Sequence, residues 1–243
     1  MHCVSLPPNN SIQRTAEEPW PLISVVSLDY GSYSRKTKSF RENYIYMGDN
    51  ICPWWLAYTF DNPLRRFLHS PEKILGPYVA EGMTVLDVGC GMGFFSIGLA
   101  KLVGNKGCVI AVDVQQKMLN ALEKRAEKAG VLNRIRIHRC QSNKLGVEGP
   151  VDFILAFWML HEVPDINLFF HQARSCLRPN GKILIAEPKF HVSSKRFREI
   201  LVSAQKSGLK RCEALCLRFS WSAVLENVYS PEFENQKSRG FIL

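Results

Sequence analysis

The sequence lacks cysteine spacing of the kind that binds zinc, although it contains eight cysteines among its 243 residues. No two of them form a C-x-x-C pair, and the closest two, Cys212 and Cys216, have no nearby histidine. Structural zinc sites need such clustered ligands, so we predict no bound metal. Thiols scattered along a chain of this length are typical of a reducing compartment, and we therefore predict a cytoplasmic protein.

Long hydrophobic runs are missing as well. The longest uninterrupted apolar stretch is 153–160, whereas a helix needs about 20 apolar residues to cross a bilayer. The sequence also shows no basic start followed by an apolar core and a small-residue cleavage site. We therefore predict no membrane insertion and no secretory signal.

The charge of the chain is unbalanced, because 31 Lys and Arg stand against 22 Asp and Glu, a net charge of +9. Such an excess favours acidic partners in general and says nothing about the fold. Part of it lies between 189 and 211, where seven basic residues accompany one acid, Glu199. This segment is either a solvated helix face or a docking surface for an acidic substrate.

Composition divides the chain into three parts. Residues 1–46 are rich in turn formers such as Pro7-Pro8-Asn9-Asn10, and we predict a poorly ordered extension there. Stronger fold signals run from 47 to 228, a length that suits a single α/β domain with its own core. The polar residues 229–243 are predicted to be a peripheral tail.

A glycine-rich segment near residue 90 organises this domain. Thr84-Val85-Leu86 predicts a buried strand, Asp87 closes it, and three alternate glycines precede an apolar segment that predicts a helix from Phe94. Glycines let a ligand approach the backbone closely, because no Cβ stands in the way. The following helix N-terminus offers unpaired N–H groups to a carboxylate or phosphate.

Two cofactor classes use such a turn, and the spacing of the glycines helps to separate them. The dinucleotide pattern G-x-G-x-x-G requires a third glycine where this chain has Phe94, counting from Gly89, or Ser96, counting from Gly91. In addition, Asp87 would repel a pyrophosphate but would attract the ammonium group of an amino-acid ligand. A tight strand–helix turn without any ligand is the remaining alternative.

The segment resembles motif I of the class I S-adenosylmethionine (SAM) methyltransferases, with the acid and all three glycines matched. The resemblance implies SAM as cofactor, and the cofactor-binding residues that it implies here are Asp87, Gly89, Cys90, Gly91 and Gly93. It extends over most of the chain from 47 to 228. The small-molecule branch that includes enzymes of quinone biosynthesis is the most similar in pattern.

The second and third strands add further candidates for the cofactor site. Residues 108–113 predict a strand that ends in Asp113, an acid that can accept hydrogen bonds from both hydroxyls of a ribose. Dinucleotide enzymes use the same device, so Asp113 and the adjacent Val114 support any cofactor that contains a nucleoside. After the third strand, at 135–138, the family usually has an acid or amide that binds adenine, and Gln141 is our candidate for this role.

Residues 152–163 match the fourth strand of the fold and its edge. The strand is apolar on both faces and belongs in the sheet centre, so its end lies at the ligand crevice. We place Phe157 at the cofactor and Trp158 and His161 at the substrate. His161, or less plausibly Glu162, could act as general base on a hydroxyl or carbon acid, but such a segment often only begins the next helix. The Asn/Asp-Pro-Pro-Tyr/Phe motif of enzymes that methylate amino groups is absent.

The remaining pattern completes the predicted fold. A helix capped by Asp165, a strand at 182–187, a helix at 193–207 and a final strand pair at 210–218 and 221–226 follow in order. We expect a Rossmann-like three-layer α/β sandwich, with a mostly parallel seven-stranded sheet ending in an antiparallel hairpin. In this fold the segment before motif I, here 50–80, commonly forms a lid. Trp54 and Trp55 could line the substrate pocket there, or could simply cover an apolar edge.

The function that the resemblance implies is SAM-dependent methyl transfer to a small-molecule acceptor, with the acceptor as the main partner. Two alternatives remain open. The positive charge permits an RNA or protein methyltransferase, but no nucleic-acid recognition module is appended, so we do not expect a nucleic-acid partner. A protein that binds SAM or NAD without transferring a methyl group is the other alternative.

Overall fold

The computed structural model describes residues 69–228, in which strands and helices alternate before two final strands. The elements are α1 (Pro71–Leu75), β1 (Thr84–Val88), α2 (Phe94–Leu102), β2 (Cys108–Asp113), α3 (Gln116–Lys128), β3 (Ile135–Arg139), β4 (Val151–Phe157), α4 (Ile166–Cys176), β5 (Leu177–Pro188), α5 (Ser194–Lys206), β6 (Leu209–Glu213) and β7 (Ser220–Asn227). Single 3₁₀ turns lie at Leu132–Arg134 and Leu160–Glu162. No helix between 69 and 228 combines the length and the apolar character needed to cross a membrane.

The strands form one seven-stranded sheet in the order β3-β2-β1-β4-β5-β7-β6. The five strands from β3 to β5 are parallel, and β7 is antiparallel to both of its neighbours. The last strand pair is therefore inserted so that β7, and not β6, lies next to β5. The predicted sheet with its terminal antiparallel hairpin is confirmed.

Helices cover both faces of this sheet, which explains why its central strands are apolar throughout. Alternate residues of β1 point to opposite sides: Val85 packs in the cluster that contains the buried residues of α1, α2 and α3. Leu86 packs in the second cluster, with the buried residues of α4 and α5. Helices, sheet and helices therefore form the three layers that the sequence predicts.

Local capping signals set the starts of two helices. The side chain of Asp165 accepts hydrogen bonds from the backbone N–H groups of Asn167 and Leu168, so the predicted N-cap of α4 is confirmed. Ser193 caps α5 in the same way through the N–H of Arg196. A polar oxygen at the N-cap satisfies donors that have no partner within the helix.

Two predicted strand boundaries are wrong. The first strand of the terminal pair ends at Glu213 and not at residue 218, because its register with β7 shifts after Arg211 and the chain then leaves the sheet. In addition, β5 begins at Leu177 and not at residue 182. Residues 179–181 form an irregularity within β5, where Asn180 has a φ of +62° and the register with β4 shifts.

Several sequence predictions concern residues outside 69–228. The extension 1–46, the tail 229–243 and the two tryptophans Trp54 and Trp55 are among them. Of the segment expected as a lid, the described part contains α1, in which Leu75 is fully buried and Pro71 lies against Gly98 of α2. The ring of His69 lies against those of Phe157 and Trp158, with centroid distances of 5.4 and 5.3 Å.

Candidate active site

A cleft of about 1010 Å³ opens at the carboxyl ends of the parallel strands. Ligands bind at this edge in open α/β sheets, because the loops that follow the strands meet there. The residues that line the cleft come mainly from 87–92, 113–115, 140–145, 157–159, 161–163, 188 and 190–193. They follow β1, β2, β3, β4 and β5, so every parallel strand contributes to the site.

The glycine turn after β1 forms the floor of the cleft. The N–H groups of Gly89 and Cys90 donate to the carbonyl of Val112 at 2.9 and 3.0 Å, which ties the turn to β2. Gly91 lines the cleft with a φ of +53°, and a Cβ built on it would meet no protein atom within 4 Å. The turn therefore leaves space on its open side that any side chain at position 91 would enter.

Asp113 holds this turn from the end of β2. Its two carboxylate oxygens accept hydrogen bonds from the N–H groups of Gly91, at 2.9 Å, and Gln115, at 2.8 Å. Burial raises the pKa of Asp113, while the backbone hydrogen bonds act in the opposite direction. A carboxylate oxygen can accept two hydrogen bonds, so the side chain keeps acceptor capacity for the hydroxyls of a ribose.

Asp87 lies at the end of β1 and is only 2% exposed. Ser96 of α2 donates a hydrogen bond from its hydroxyl to the Asp87 carboxylate, with an O–O distance of 2.5 Å. Because both residues are deeply buried, the carboxylate stays fixed where it lines the cleft. A cationic ligand in the cleft would be attracted by this charge and an anionic one repelled.

The predicted cofactor residues are brought together, with one exception. The cleft is lined by Asp87, Gly89, Cys90, Gly91, Asp113, Val114, Gln141 and Phe157. Gly93 is the N-cap of α2 and lies against Leu122 rather than in the cleft wall. Burial raises the pKa of the Cys90 thiol well above its usual value, which makes this sulfur unreactive.

The wall beyond the strand end of β4 is aromatic. Trp158 adopts a left-handed backbone with a φ of +59°, and its indole N–H donates to the hydroxyl of Ser220 at 2.8 Å. Phe190, which is 65% exposed, meets the Trp158 ring edge to face at 5.6 Å. The two rings are nearly perpendicular and offer an apolar corner to a ring of a ligand in the cleft.

The segment that carries this wall touches the glycine turn directly. A Cβ built on Gly89 would lie 2.8 Å from Cβ of Met159, closer than such atoms approach. The absence of a side chain at position 89 therefore allows the turn after β1 and the exit of β4 to pack together.

His161 lies in the 3₁₀ turn that follows, and its partner is Glu187 at the end of β5. The ring Nδ1 is 2.7 Å from Oε2 of Glu187, a carboxylate with no exposed surface. The same carboxylate accepts hydrogen bonds from the N–H groups of Leu160 and His161, at 2.9 and 3.2 Å. Burial acts to lower the pKa of His161, but the hydrogen bond to Glu187 and the charges of Glu187 and Glu162 outweigh it and raise that pKa.

The sequence analysis did not identify Glu187, Phe190 or His191 as site residues. Glu187 could have been found, because it ends an apolar strand just as Asp87 and Asp113 do. The ring of His191 lies 5.0 Å from that of His161. Phe190 and His191 follow β5 in a segment without a recognisable motif, and their place in the cleft depends on how that segment turns toward α5.

Comparison with known proteins gives a consistent result. A family described as Methyltransferase domain matches residues 80–228, more than half of the chain. A ubiquinone biosynthesis O-methyltransferase of Xanthomonas euvesicatoria is 28% identical over 138 residues, 55% of each chain. A ubiquinone/menaquinone biosynthesis C-methyltransferase of Blochmanniella pennsylvanica is 30% identical over 146 residues, 57% of this chain and 58% of that protein. The chain thus spans about half the length of these curated relatives.

A solved structure covers more of the molecule. A SAM-dependent methyltransferase from Aquifex aeolicus aligns with 73% of this chain and with 100% of its own, at 27% identity and a TM-score of 0.67. The fold of this chain is therefore shared over the whole length of that solved chain.

Proposed function

Because the chain belongs to the family of methyltransferase domains, we propose that it transfers a methyl group from SAM to a small-molecule acceptor. The floor of the cleft is the observation that carries this proposal. Two buried acids, Asp87 and Asp113, end adjacent strands on either side of the open Gly91 turn. This arrangement suits a ligand that combines a nucleoside with a positively charged amino-acid part.

Different residues of the cleft suit the different chemical groups of SAM. Asp113 has acceptor capacity for the ribose hydroxyls, and the charge of Asp87 favours the cationic methionyl end. Gln141 offers an amide to the adenine. The pyrophosphate of NAD would instead be repelled by the carboxylate of Asp87, which argues against the dinucleotide alternative. When bound, SAM supplies a methyl group that is activated by the positive charge on its sulfur.

The chain's own contribution to the reaction is mainly to align the acceptor and to exclude water. Trp158 and Phe190 supply an apolar wall beside His161, which suits a small acceptor with a flat ring. The names of the related proteins, which concern quinone biosynthesis, support a ring compound as well. We also propose that Trp54 and Trp55 complete the acceptor site.

We propose that the protein acts in the cytoplasm. The described part of the chain contains six cysteines, and all of them are free thiols, which suits a reducing compartment.

Calorimetric titration of the full chain with SAM and with NAD tests the proposed cofactor. We expect saturable binding of SAM and much weaker binding of NAD. Asp152→Asn is a suitable control, because Asp152 binds the N–H of Thr84 and the side chain of Arg178 at the opposite edge of the sheet. This variant should bind SAM as the unmodified protein does. Tighter binding of NAD than of SAM would refute the proposal.

A further inference from the structure

The contact between His161 and Glu187 fixes which ring nitrogen carries the proton. An ionised carboxylate can only accept hydrogen bonds, and Glu187 already accepts two from backbone N–H groups. The Nδ1 of His161, 2.7 Å from Oε2, must therefore be the donor in the third contact. In the neutral ring the lone pair is consequently on Nε2.

The Nε2 atom is on the side of the ring away from Glu187. Its nearest acid is Glu162, with Oε1 at 3.8 Å, which is too long for a hydrogen bond. The His161 side chain lines the cleft and is 19% exposed, whereas Glu187 is fully buried. A ligand in the cleft can therefore reach His161 but not Glu187.

We propose that Nε2 of His161 removes the proton from a ring hydroxyl of the acceptor, and that Glu187 is the positioning residue that places the lone pair of the neutral ring on this nitrogen. The inference rests on the proposed function and specifies its substrate class. The aromatic wall of Trp158 and Phe190 favours a flat ring. A base is needed for a hydroxyl, whereas a neutral amine or thioether already has an available lone pair.

The atoms and charges of the step balance. The hydroxyl proton goes to Nε2, and the electron pair of the acceptor forms the new bond to the methyl carbon. The electrons of the broken carbon–sulfur bond stay on sulfur, so S-adenosylhomocysteine leaves without the positive charge. That charge is now on the His161 ring, where Glu187 stabilises it. The methyl group is attached either to the ring oxygen or to a ring carbon activated by the same deprotonation. In the second case the proton of that carbon moves to the ring oxygen and restores the hydroxyl.

The charged groups around His161 set the pH at which this base is available. Glu187 faces the ring from β5, Glu162 from its own turn, and His191 from the segment after β5, while Arg196 of α5 lines the same cleft. The two carboxylates raise the pKa of His161, so the neutral form is reached at a higher pH than for an ordinary histidine. Without Glu187, burial would act to lower that pKa.

The first test is the protonation state of the ring nitrogens of His161 in the full chain, measured by long-range proton–nitrogen NMR correlation. The chain has six histidines, and the resonances of His161 are those that disappear in His161→Gln. We expect Nδ1 to carry the proton and Nε2 to be unprotonated above the pKa of the ring. A proton on Nε2 of the neutral ring in the unmodified protein would overturn the proposal, and the variant serves only to assign the resonances.

Glu187→Gln removes the charge of the carboxylate and keeps its shape. Its amide oxygen can still accept a hydrogen bond from Nδ1, but the negative charge that raises the pKa of His161 is lost, so we expect the titration of the ring to shift to lower pH. Asp152→Asn serves as control, because it also removes a carboxylate that binds one backbone N–H and one side chain. The control should leave the His161 resonances unchanged. An unaltered titration of the His161 ring in folded Glu187→Gln would refute the positioning role.

The second test uses 4-nitrophenol, whose ionised form absorbs visible light, with the protein saturated with S-adenosylhomocysteine. We expect bound 4-nitrophenol to ionise in the unmodified protein and to lose this ionisation in His161→Gln and Glu187→Gln. Lack of ionisation, or no binding at millimolar 4-nitrophenol, would refute a ring hydroxyl as substrate. Failure of SAM to bind would instead refute the proposed function. It would not change the protonation state of His161 measured by NMR.

Discussion

Replacing Asp113 by Asn should weaken the binding of SAM and leave the stability of the protein nearly unchanged. Asp113 accepts two backbone hydrogen bonds. It holds the glycine turn through the N–H of Gly91 and the start of α3 through the N–H of Gln115. We propose that it binds the ribose as well. The Asn side chain has nearly the same shape, but it lacks the charge and has only one acceptor oxygen.

The expected loss of affinity follows from the charge-assisted hydrogen bonds that would be removed. Hydrogen bonds to a charged group contribute about 1.5–3 kcal/mol, which corresponds to a roughly ten- to hundredfold weaker binding of SAM. The stability of the unliganded protein should change much less. Burial raises the pKa of Asp113, so its charge costs free energy of folding above that pKa, and the neutral amide avoids this cost. We expect this gain to offset most of the lost backbone hydrogen bond, leaving a net change within about 1 kcal/mol.

Two measurements on the same variant check this reasoning. Calorimetry gives the affinity for SAM, and urea unfolding without ligand gives the free energy of unfolding. The stability of the unmodified protein should also fall as the pH rises through the raised pKa of Asp113, and this dependence should be weaker in the variant. Unchanged affinity for SAM would exclude Asp113 from the cofactor site, and a large loss of stability would show that its role is mainly structural.

Three further predictions concern other residues of the cleft. Gly91→Val should abolish SAM binding in a folded protein, whereas Gly130→Val, which introduces similar backbone strain at a φ of +67° outside the cleft, should keep it. Equal affinities in calorimetry would contradict a ligand at Gly91. Asp87→Asn should weaken binding of SAM more than that of S-adenosylhomocysteine, because only SAM has the sulfonium charge, and equal losses would indicate an effect through hydrogen bonds alone. His161→Gln should lose most stability, in urea unfolding, below the ordinary histidine pKa of about 6.5, because a raised pKa stabilises the charged ring there and this contribution disappears as pH rises through the raised value. A difference that grew with pH would contradict the raised pKa.

The part of the site that could be predicted from the sequence is the part encoded within single strands and turns. Asp87 and Asp113 each close an apolar strand, and that pattern alone predicts an acid at the ligand edge of the sheet. The N-cap at Asp165 is equally local. The structure brings both acids to one cleft, while their contact with SAM stays a prediction.

The features of the site and fold that could not be predicted from the sequence depend on how separate segments pair. The contact of His161 with Glu187 requires β4 and β5 to be neighbours, in the register that places Phe157 opposite Ala186. The extent of β6 was overestimated because the shift after Arg211 has no signal in the pattern of apolar residues. His161 could be proposed as a base from the sequence, but its contact with Glu187 could not, because that contact depends on the pairing of β4 with β5.

The missing side chain at Gly89 has a consequence for the order in which the cofactor and the acceptor bind. The turn after β1 packs directly on the side chain of Met159, two residues before His161. If SAM binds on this turn, as we propose, we expect a displacement of the turn to shift the segment that carries His161. Binding of the cofactor would then influence the position of the proposed base, which favours an ordered sequence of binding with the cofactor first.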